Sequence, residues 1–382
     1  MKIDATIKEH TLGLSCVEYG FNRERAITRP SLFKSWMSAY RVIVQKADPN
    51  PGLLTLGKSM YDYLDGDGGE MTELLERCDG PFVLELIGDP GSEPKASQFL
   101  EAPWELLANH RGFLAASFRA PLQPLRCVSS PELTPRPVAE ALPLVFMAAQ
   151  ADADTLLRYE QEEYAILRAV ANTPLDVIVE ESGSLRYLCD RISQMEGEYL
   201  LHLSMHGRFD SAGRPVLVME TEVGGPDYIS AAELAERLAG RHPHFLFLSA
   251  CHSAVSRAAT DSLVLALTRY GFPAVLGWNG TVEDGEATEF TSILYKRIAS
   301  GDSIENAVLA ARQTLLHKDM MSAFPSRNWH LARLYFGPNG KGAVMTSKGG
   351  GATQIGFRSR DRPSFFGKQR GEANERVCRV SA

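Results

Sequence analysis

No two of the six cysteines form a CxxC pair; they stand at 16, 78, 127, 189, 251 and 378. A zinc finger or a small disulfide framework needs closer or paired spacing, so the sequence predicts reduced thiols in a cytoplasm. Apolar runs approaching about 18 residues are also missing, and the opening MKIDATIKEHTLG carries no hydrophobic signal region. A membrane-spanning or secreted protein is therefore not expected. Phosphate-cradling glycine motifs are absent as well. Neither GDPGS (88–92) nor GGPDY (224–228) has the GxxxxGK[ST] form, and no GxGxxG follows a strand, so no cofactor is expected. Positive charge is not in excess: 40 Lys and Arg stand against 47 Asp and Glu, for a net charge of -7. That balance gives no global reason to bind nucleic acid or an anionic membrane.

What the chain does have is the composition of a globular protein with a sizeable core. Of its 382 residues 44% are hydrophobic and 23% charged, and at about 150 residues per domain that length suits two domains. Charge is uneven. From Lys341 to Ala382 nine Lys or Arg stand against three acids, a local +6. With its glycines and little apolar periodicity, 341–382 reads as a flexible basic tail. A loop with three prolines, Ser129 to Pro137, sets an N-terminal accessory region (1–135) apart from a second domain (138–340).

The accessory region reads as mixed α/β, with a helix over 53–64, a strand over 81–87 and Pro103 where a first helical turn tolerates it. Beyond the proline loop, strands are predicted at 142–149, 176–179, 199–205, 245–250, 273–277 and 329–337. Helical stretches lie between them at 160–171, 184–195, 230–238 and 261–270, with two more at 286–299 and 304–316. Near-continuous apolar strands alternating with helices specify an α/β fold, a mostly parallel sheet with helices on both faces.

In such a sheet, sites form in the loops leaving the carboxyl ends of strands. One apolar run ends at Met205 and is followed at once by His206-Gly207; another ends at Ala250 and is followed at once by Cys251. A lone histidine or cysteine in such a place is commonly a core residue. Together, at neighbouring strand ends, they suit a nucleophile and its base, since an imidazole lowers a thiol's pKa and can then protonate a leaving amine. Gly207, with no Cβ, lets a backbone N–H approach a developing oxyanion beside the N–H of Cys251. His202, inside its strand, reads as buried and hydrogen-bonded. His252 points away from the nucleophile if the chain stays extended there. A metal site is not indicated, because these histidines and Cys251 lack liganding spacing.

His206-Gly207 and Ala250-Cys251 resemble the His-Gly and Ala-Cys signatures of caspase-like cysteine peptidases, whose histidine lies about 50 residues upstream of the cysteine. The wider sequence resembles the CHAT domain, a bacterial caspase- and separase-like peptidase. The matching features are APWELL (102–107), GFLAASF (112–118), LVFMAAQADADTL (144–156) with Glu163, and HLSMHG (202–207). They continue with FLSAC (247–251), YGFPAVLGWNGTV (270–282), YKRIASGDSIENAVLAARQTL (295–315) and WHLARLYFGP (329–338). The resemblance implies Cys251 as nucleophile, His206 as general base and acid, and the Gly207 and Cys251 N–H groups as an oxyanion hole. In caspase-like enzymes a backbone carbonyl often orients the imidazole, so no third acidic side chain is demanded.

The residue two before the cysteine helps set the P1 pocket in related peptidases, as Gln in caspases and Asp in metacaspases. Ser249 is neither. Asp152 and Asp154 stand where other branches place pocket residues and would favour a basic P1 side chain, unless they are simply a solvated loop. Trp278 would wall a side-chain pocket, or else belong to the rim of the core. The implied function is a cysteine endopeptidase cutting a partner protein, under a regulatory or sensor protein, in a bacterial defence or cell-death pathway. Two alternatives stand beside it. One is a catalytically silent adaptor of the same fold. The other is a cysteine-dependent acyl transferase or amidase, which needs a deep apolar pocket.

Overall fold

The structure, a computed structural model, describes residues 1–27, 31–46, 48–91, 93, 95–128, 139–151, 157–255, 261–321 and 328–346. The chain opens with β1 (Lys2–Ile7), β2 (Thr11–Cys16) and β3 (Phe21–Ala26), followed by α1 (Leu32–Ile43), α2 (Asn50–Asp65) and α3 (Glu70–Arg77). Next come β4 (Phe82–Gly88), α4 (Ala96–Glu101), the two-residue β5 (Ala108–Asn109) and β6 (Gly112–Phe113), and β7 (Leu122–Val128). The second half holds β8 (Leu142–Ala148), α5 (Tyr159–Val170), β9 (Leu175–Glu180), α6 (Leu185–Ser193) and β10 (Leu200–Ser204). It continues through β11 (His206–Phe209), β12 (Pro215–Glu220), β13 (Pro226–Ser230), α7 (Ala231–Arg237), β14 (Phe245–Ser249) and α8 (Leu263–Arg269). Its last elements are β15 (Ala274–Trp278), α9 (Asp284–Ala299), α10 (Ile304–Met321) and β16 (Ala332–Phe336).

Eleven strands form one sheet in the order β3-β2-β1-β4-β7-β16-β15-β14-β10-β8-β9. β15, β14, β10, β8 and β9 are mutually parallel. β16 runs antiparallel to β15 and parallel to β7, which continues in parallel to β4 and β1. The expected mostly parallel α/β fold is therefore present. Every residue of β10, β15 and β16 is buried, so both faces of the sheet are covered there, which is why those strands are apolar without alternation. β1 and β2 alternate buried with more exposed residues, the pattern of a strand covered on one side.

Among the parallel strands, β9 lies on one side of β8, whereas β10, β14 and β15 step away on the other. The chain's direction of travel thus reverses between β8 and β10. In open α/β sheets the crevice at such a reversal, outside the strands' carboxyl ends, is where ligands bind. The strand predicted over 199–205 is β10, but 206–229 is not a simple loop. It folds into a three-stranded antiparallel sheet, β11-β12-β13, standing directly on the end of β10.

The start of the expected flexible tail is part of the fold: Val344 and Met345 are buried, Thr346 N donates to Ala139 O at 2.9 Å, and Lys341 pairs with Glu85. The remainder of that stretch, 347–382, lies outside the described residues.

Candidate active site

Strands β10 and β14 are neighbours in exact step, Ser204 opposite Ser249. His206 and Cys251 therefore each come two residues after one member of a directly paired couple. Both are half-buried. The two strand ends meet at the next residue: a Cβ built on Gly207 would stand 2.1 Å from the carbonyl oxygen of Cys251. Only glycine lets β11 start so close to the peptide of Cys251.

After Cys251 the chain turns sharply rather than staying extended. His252 has a φ of 63°, so the alternation that would have sent its side chain away from the nucleophile does not apply, and its Nε2 lies 3.2 Å from Thr281 Oγ1. The turn is tied to β15 by main-chain bonds. His252 N donates to Gly280 O at 3.1 Å and Ala254 N to Trp278 O at 2.9 Å. Ser253, fully buried, accepts from Trp278 N at 2.9 Å through its hydroxyl, which also donates to Leu248 O at 3.3 Å. Further along, Ser262 N at the start of α8 donates to the buried Glu101 carboxylate at 2.8 Å. The residue preceding APWELL thereby holds the start of α8.

Cys251 lines a cleft with Glu162, Ser204, Ser249, Arg158 and Asp284 among its walls. The four segments that build it leave the carboxyl ends of β8, β10, β14 and β15. The described residues enclose about 40 Å³ there, close to the room of one water molecule at ~30 Å³. A roomier cavity of about 620 Å³ lies over β1, β4 and β7, but histidine and cysteine are not among its lining residues. Burial pushes the Cys251 thiol above its ordinary value, the Asp284 carboxylate pushes it further, and a backbone hydrogen bond from Val282 only partly offsets them. The resting sulfur is thus held as a thiol. Across the cleft, Arg158 Nε lies 3.9 Å from Asp284 Oδ2.

A profile for the CHAT domain matches residues 93–350. The chain belongs to the CHAT domain family. No curated protein sequence matches it. Among solved structures, a secreted cysteine protease of Bacteroides thetaiotaomicron is 10% identical, with a TM-score of 0.36 over 50% of this chain and 64% of that one. The match thus spans a little under two thirds of that protease. Gingipain R of Porphyromonas gingivalis, an Arg-specific cysteine proteinase, is 9% identical with a TM-score of 0.44, over 82% of this chain and 77% of its own. A chain of the Saccharomyces cerevisiae separase–securin complex is 14% identical with a TM-score of 0.41, over 82% of this chain and 22% of its own.

In this CHAT domain the other residues singled out from sequence have separate fates. Ser249 does line the cleft, and its Oγ donates to Glu162 Oε1 at 2.8 Å. Trp278 does not wall a pocket. It is fully buried, packed on Phe247 and Phe290 with ring centroids 5.7 and 5.0 Å away, because its place on β15 turns the indole into the core beneath α9. Only its main chain serves the site. Asp152 and Asp154 lie outside the described residues. Of the described residues on either side, Leu157 N donates to Gln150 Oε1 at 2.8 Å. His202 is fully buried, with Nδ1 3.0 Å from Tyr295 Oη. Among the described residues, no group of three or more His, Cys, Asp or Glu is placed to hold a metal ion.

On α5 the acid that lines the cleft is Glu162, not the neighbouring Glu163 read as part of the motif. Glu163 is half-exposed, and burial together with Glu181 and Glu160 pushes its carboxyl up. Glu162 is buried and reaches the strand ends. Its sequence signal was available: Glu162, Ile166 and Val170 are all buried at four-residue spacing, so a carboxylate stands on the core stripe of an amphipathic helix, where an unpaired charge is not tolerated.

Proposed function

We propose that this CHAT domain is a cysteine endopeptidase that cuts a partner protein through a His206–Cys251 dyad, within a regulated bacterial defence or cell-death response. The observation that carries the reading is the contact of Gly207 with the Cys251 carbonyl, which joins the segment bearing the histidine to the segment bearing the thiol at one cleft. Because burial and Asp284 keep the sulfur protonated, the base acts as attack begins. His206 takes the Cys251 proton while the S–C bond forms to the scissile carbonyl carbon. The oxyanion settles against the Gly207 and Cys251 N–H groups. The C–N bond then breaks, and the imidazolium gives its proton to the leaving amine. A water adds to the thioester as His206 takes its proton. The S–C bond breaks, the sulfur recovers that proton from the imidazolium, and a carboxylic acid leaves.

Among the described residues the volume beside Cys251 is small, which favours an extended chain laid across the cleft over a small molecule enclosed by it, since small-molecule pockets run to about 300–1,000 Å³. The deciding experiment is digestion of a proteome-derived peptide library beside the Cys251→Ala variant. Cuts confined to the unaltered protein support the dyad and read out P1, with Arg or Lys pointing to Asp152 and Asp154. Cuts that persist in Cys251→Ala reject Cys251 as nucleophile. Silence of both proteins leaves a latent enzyme awaiting its activator or an adaptor, and labelling of Cys251 by a thiol-reactive peptide electrophile tells these apart.

A further inference from the structure

Among the described residues, one carboxylate reaches both strands that lead to the proposed dyad. Glu162 Oε2 accepts from Ser204 Oγ at 2.7 Å, and Oε1 accepts from Ser249 Oγ at 2.8 Å. Thr291 Oγ1, on α9, donates to the same Oε1 at 2.8 Å, and the His202 ring nitrogen Nε2 lies 3.4 Å from it. Ser204 is the last residue of β10 and Ser249 the last of β14; each stands two residues before a member of the pair. Burial pushes the Glu162 carboxyl up, but His202 and the hydroxyl donors outweigh it and hold the group below its ordinary value. The site thus keeps an ionised carboxylate beneath the cleft.

Such an arrangement is costly as mere packing. A buried carboxylate and its donors can be replaced by well-packed apolar groups with little or no loss of stability. Here two serine hydroxyls from adjacent strand ends converge on the two oxygens of one rigid group. Charge-assisted hydrogen bonds of that kind fix direction as well as distance. The strand ends cannot then slide or splay without breaking one of them.

We infer that Glu162 is a positioning residue, clamping the ends of β10 and β14 through Ser204 and Ser249 so that His206 meets Cys251. The inference rests on the dyad reading above. The groups facing the carboxylate are Ser204, Ser249, Thr291 and His202, and Asp284 is the charged neighbour acting on the thiol from across the cleft. Loss of the clamp leaves Cys251 its thiol and His206 its imidazole. It removes their fixed separation, so proton transfer between them becomes inefficient.

The test is the rate of Cys251 alkylation by iodoacetamide as a function of pH, measured on the full chain together with its melting temperature. Variants are His206→Ala, Glu162→Gln, and Ser204→Ala with Ser249→Ala singly and together. Positioning predicts that His206→Ala and the paired serine variant alter the profile alike, each slowing alkylation near neutral pH by roughly tenfold, about 1.4 kcal/mol. Peptide turnover should fall in kcat with KM nearly unchanged. A profile unmoved by His206→Ala overturns the dyad itself. A profile moved by His206→Ala but unmoved by Glu162→Gln and by both serine changes overturns the clamp, even where the melting temperature falls, because that is the signature of a structural role alone. Should Glu162→Gln fail to fold, the paired Ser204→Ala and Ser249→Ala variant, which removes both hydroxyls and leaves the carboxylate, decides the matter by the same profile.

Discussion

Gly207 and Asp284 act on the sulfur in opposite ways, one by yielding space and the other by adding charge. At Gly207 the constraint is steric. An alanine methyl would begin 2.1 Å from the Cys251 carbonyl oxygen, so either β11 or the Cys251 peptide must move, and on the proposed dyad a displacement of about 1 Å costs on the order of 10²-fold in rate. Gly207→Ala should therefore lower kcat by about that factor and also lower the melting temperature, since the atom the methyl meets is backbone and such overpacking costs about 1–3 kcal/mol. Unchanged turnover would show that the backbone position is not critical. At Asp284 the constraint is electrostatic. Its carboxylate disfavours the Cys251 thiolate, and removing that charge lowers the thiol's pKa and raises the thiolate fraction at neutral pH. The side chain is 42% exposed, so screening keeps the effect modest. Asp284→Asn should speed alkylation at pH 7 by about two- to fivefold. An unchanged rate would remove Asp284 from the thiol's environment.

At the level of elements, the strands covered on both faces were readable because apolar residues fill nearly every position, as in FLFLS and AVLGW. β1 and β2 were not read. Ala5, Gly13 and Cys16 make their alternation shallow, and one face is left open. β12 carries a clear apolar run, VLVM, but it lies in a crossover between β10 and α7 where an α/β pattern leads one to expect only a loop. Periodicity finds a strand; it does not say that three of them form a separate sheet following β10. Likewise His206 and Cys251 stood out as strand-end residues, whereas for Glu162 the helix stripe signals a buried carboxylate but its two serine partners are recognised only once β10 and β14 are known to be neighbours in step. The turn after Cys251 was invisible for the same reason, since its hold is a set of main-chain bonds to β15. That hold can be tested at Ser253. Ser253→Ala strands the buried Trp278 N–H, a loss of about 1–3 kcal/mol. Hydrogen exchange at residues 251–255 should quicken more than in β8 or β9. Uniform quickening would mean that the hydroxyl stabilises the domain without specially holding the turn after Cys251.

Across the whole molecule the sheet is continuous, but its ladders are unequal. β4 and β7 pair over seven residues, β15 and β16 over five, and β16 and β7 over two, Tyr335 with Arg126 and Phe336 with Cys127. Side chains bind that narrow seam instead. Arg126, fully buried, donates to both oxygens of Glu105 at 2.6 and 2.8 Å and lies 5.3 Å from the Tyr335 ring centroid. Arg333, on β16, donates to Glu101 O at 2.6 Å. Burial pushes the Glu105 carboxyl up, but Arg126, Arg312 and Arg333 outweigh it and bring it to about 2. A carboxyl depressed in this way stabilises the fold fully above its unfolded value, near 4.5. The contribution fades as pH falls from there toward 2. Removing one partner of a buried pair leaves the other charge uncompensated, which costs about 3–5 kcal/mol. Glu105→Gln should therefore be markedly less stable than the unaltered chain in urea at pH 7. The gap between the two should narrow as pH is lowered through 4 toward 2, because protonation then does to the native carboxyl what the amide did permanently. A gap that stays constant over that range would mean that the seam is held by packing of the aromatic and aliphatic side chains around it, and that the buried charges are passengers.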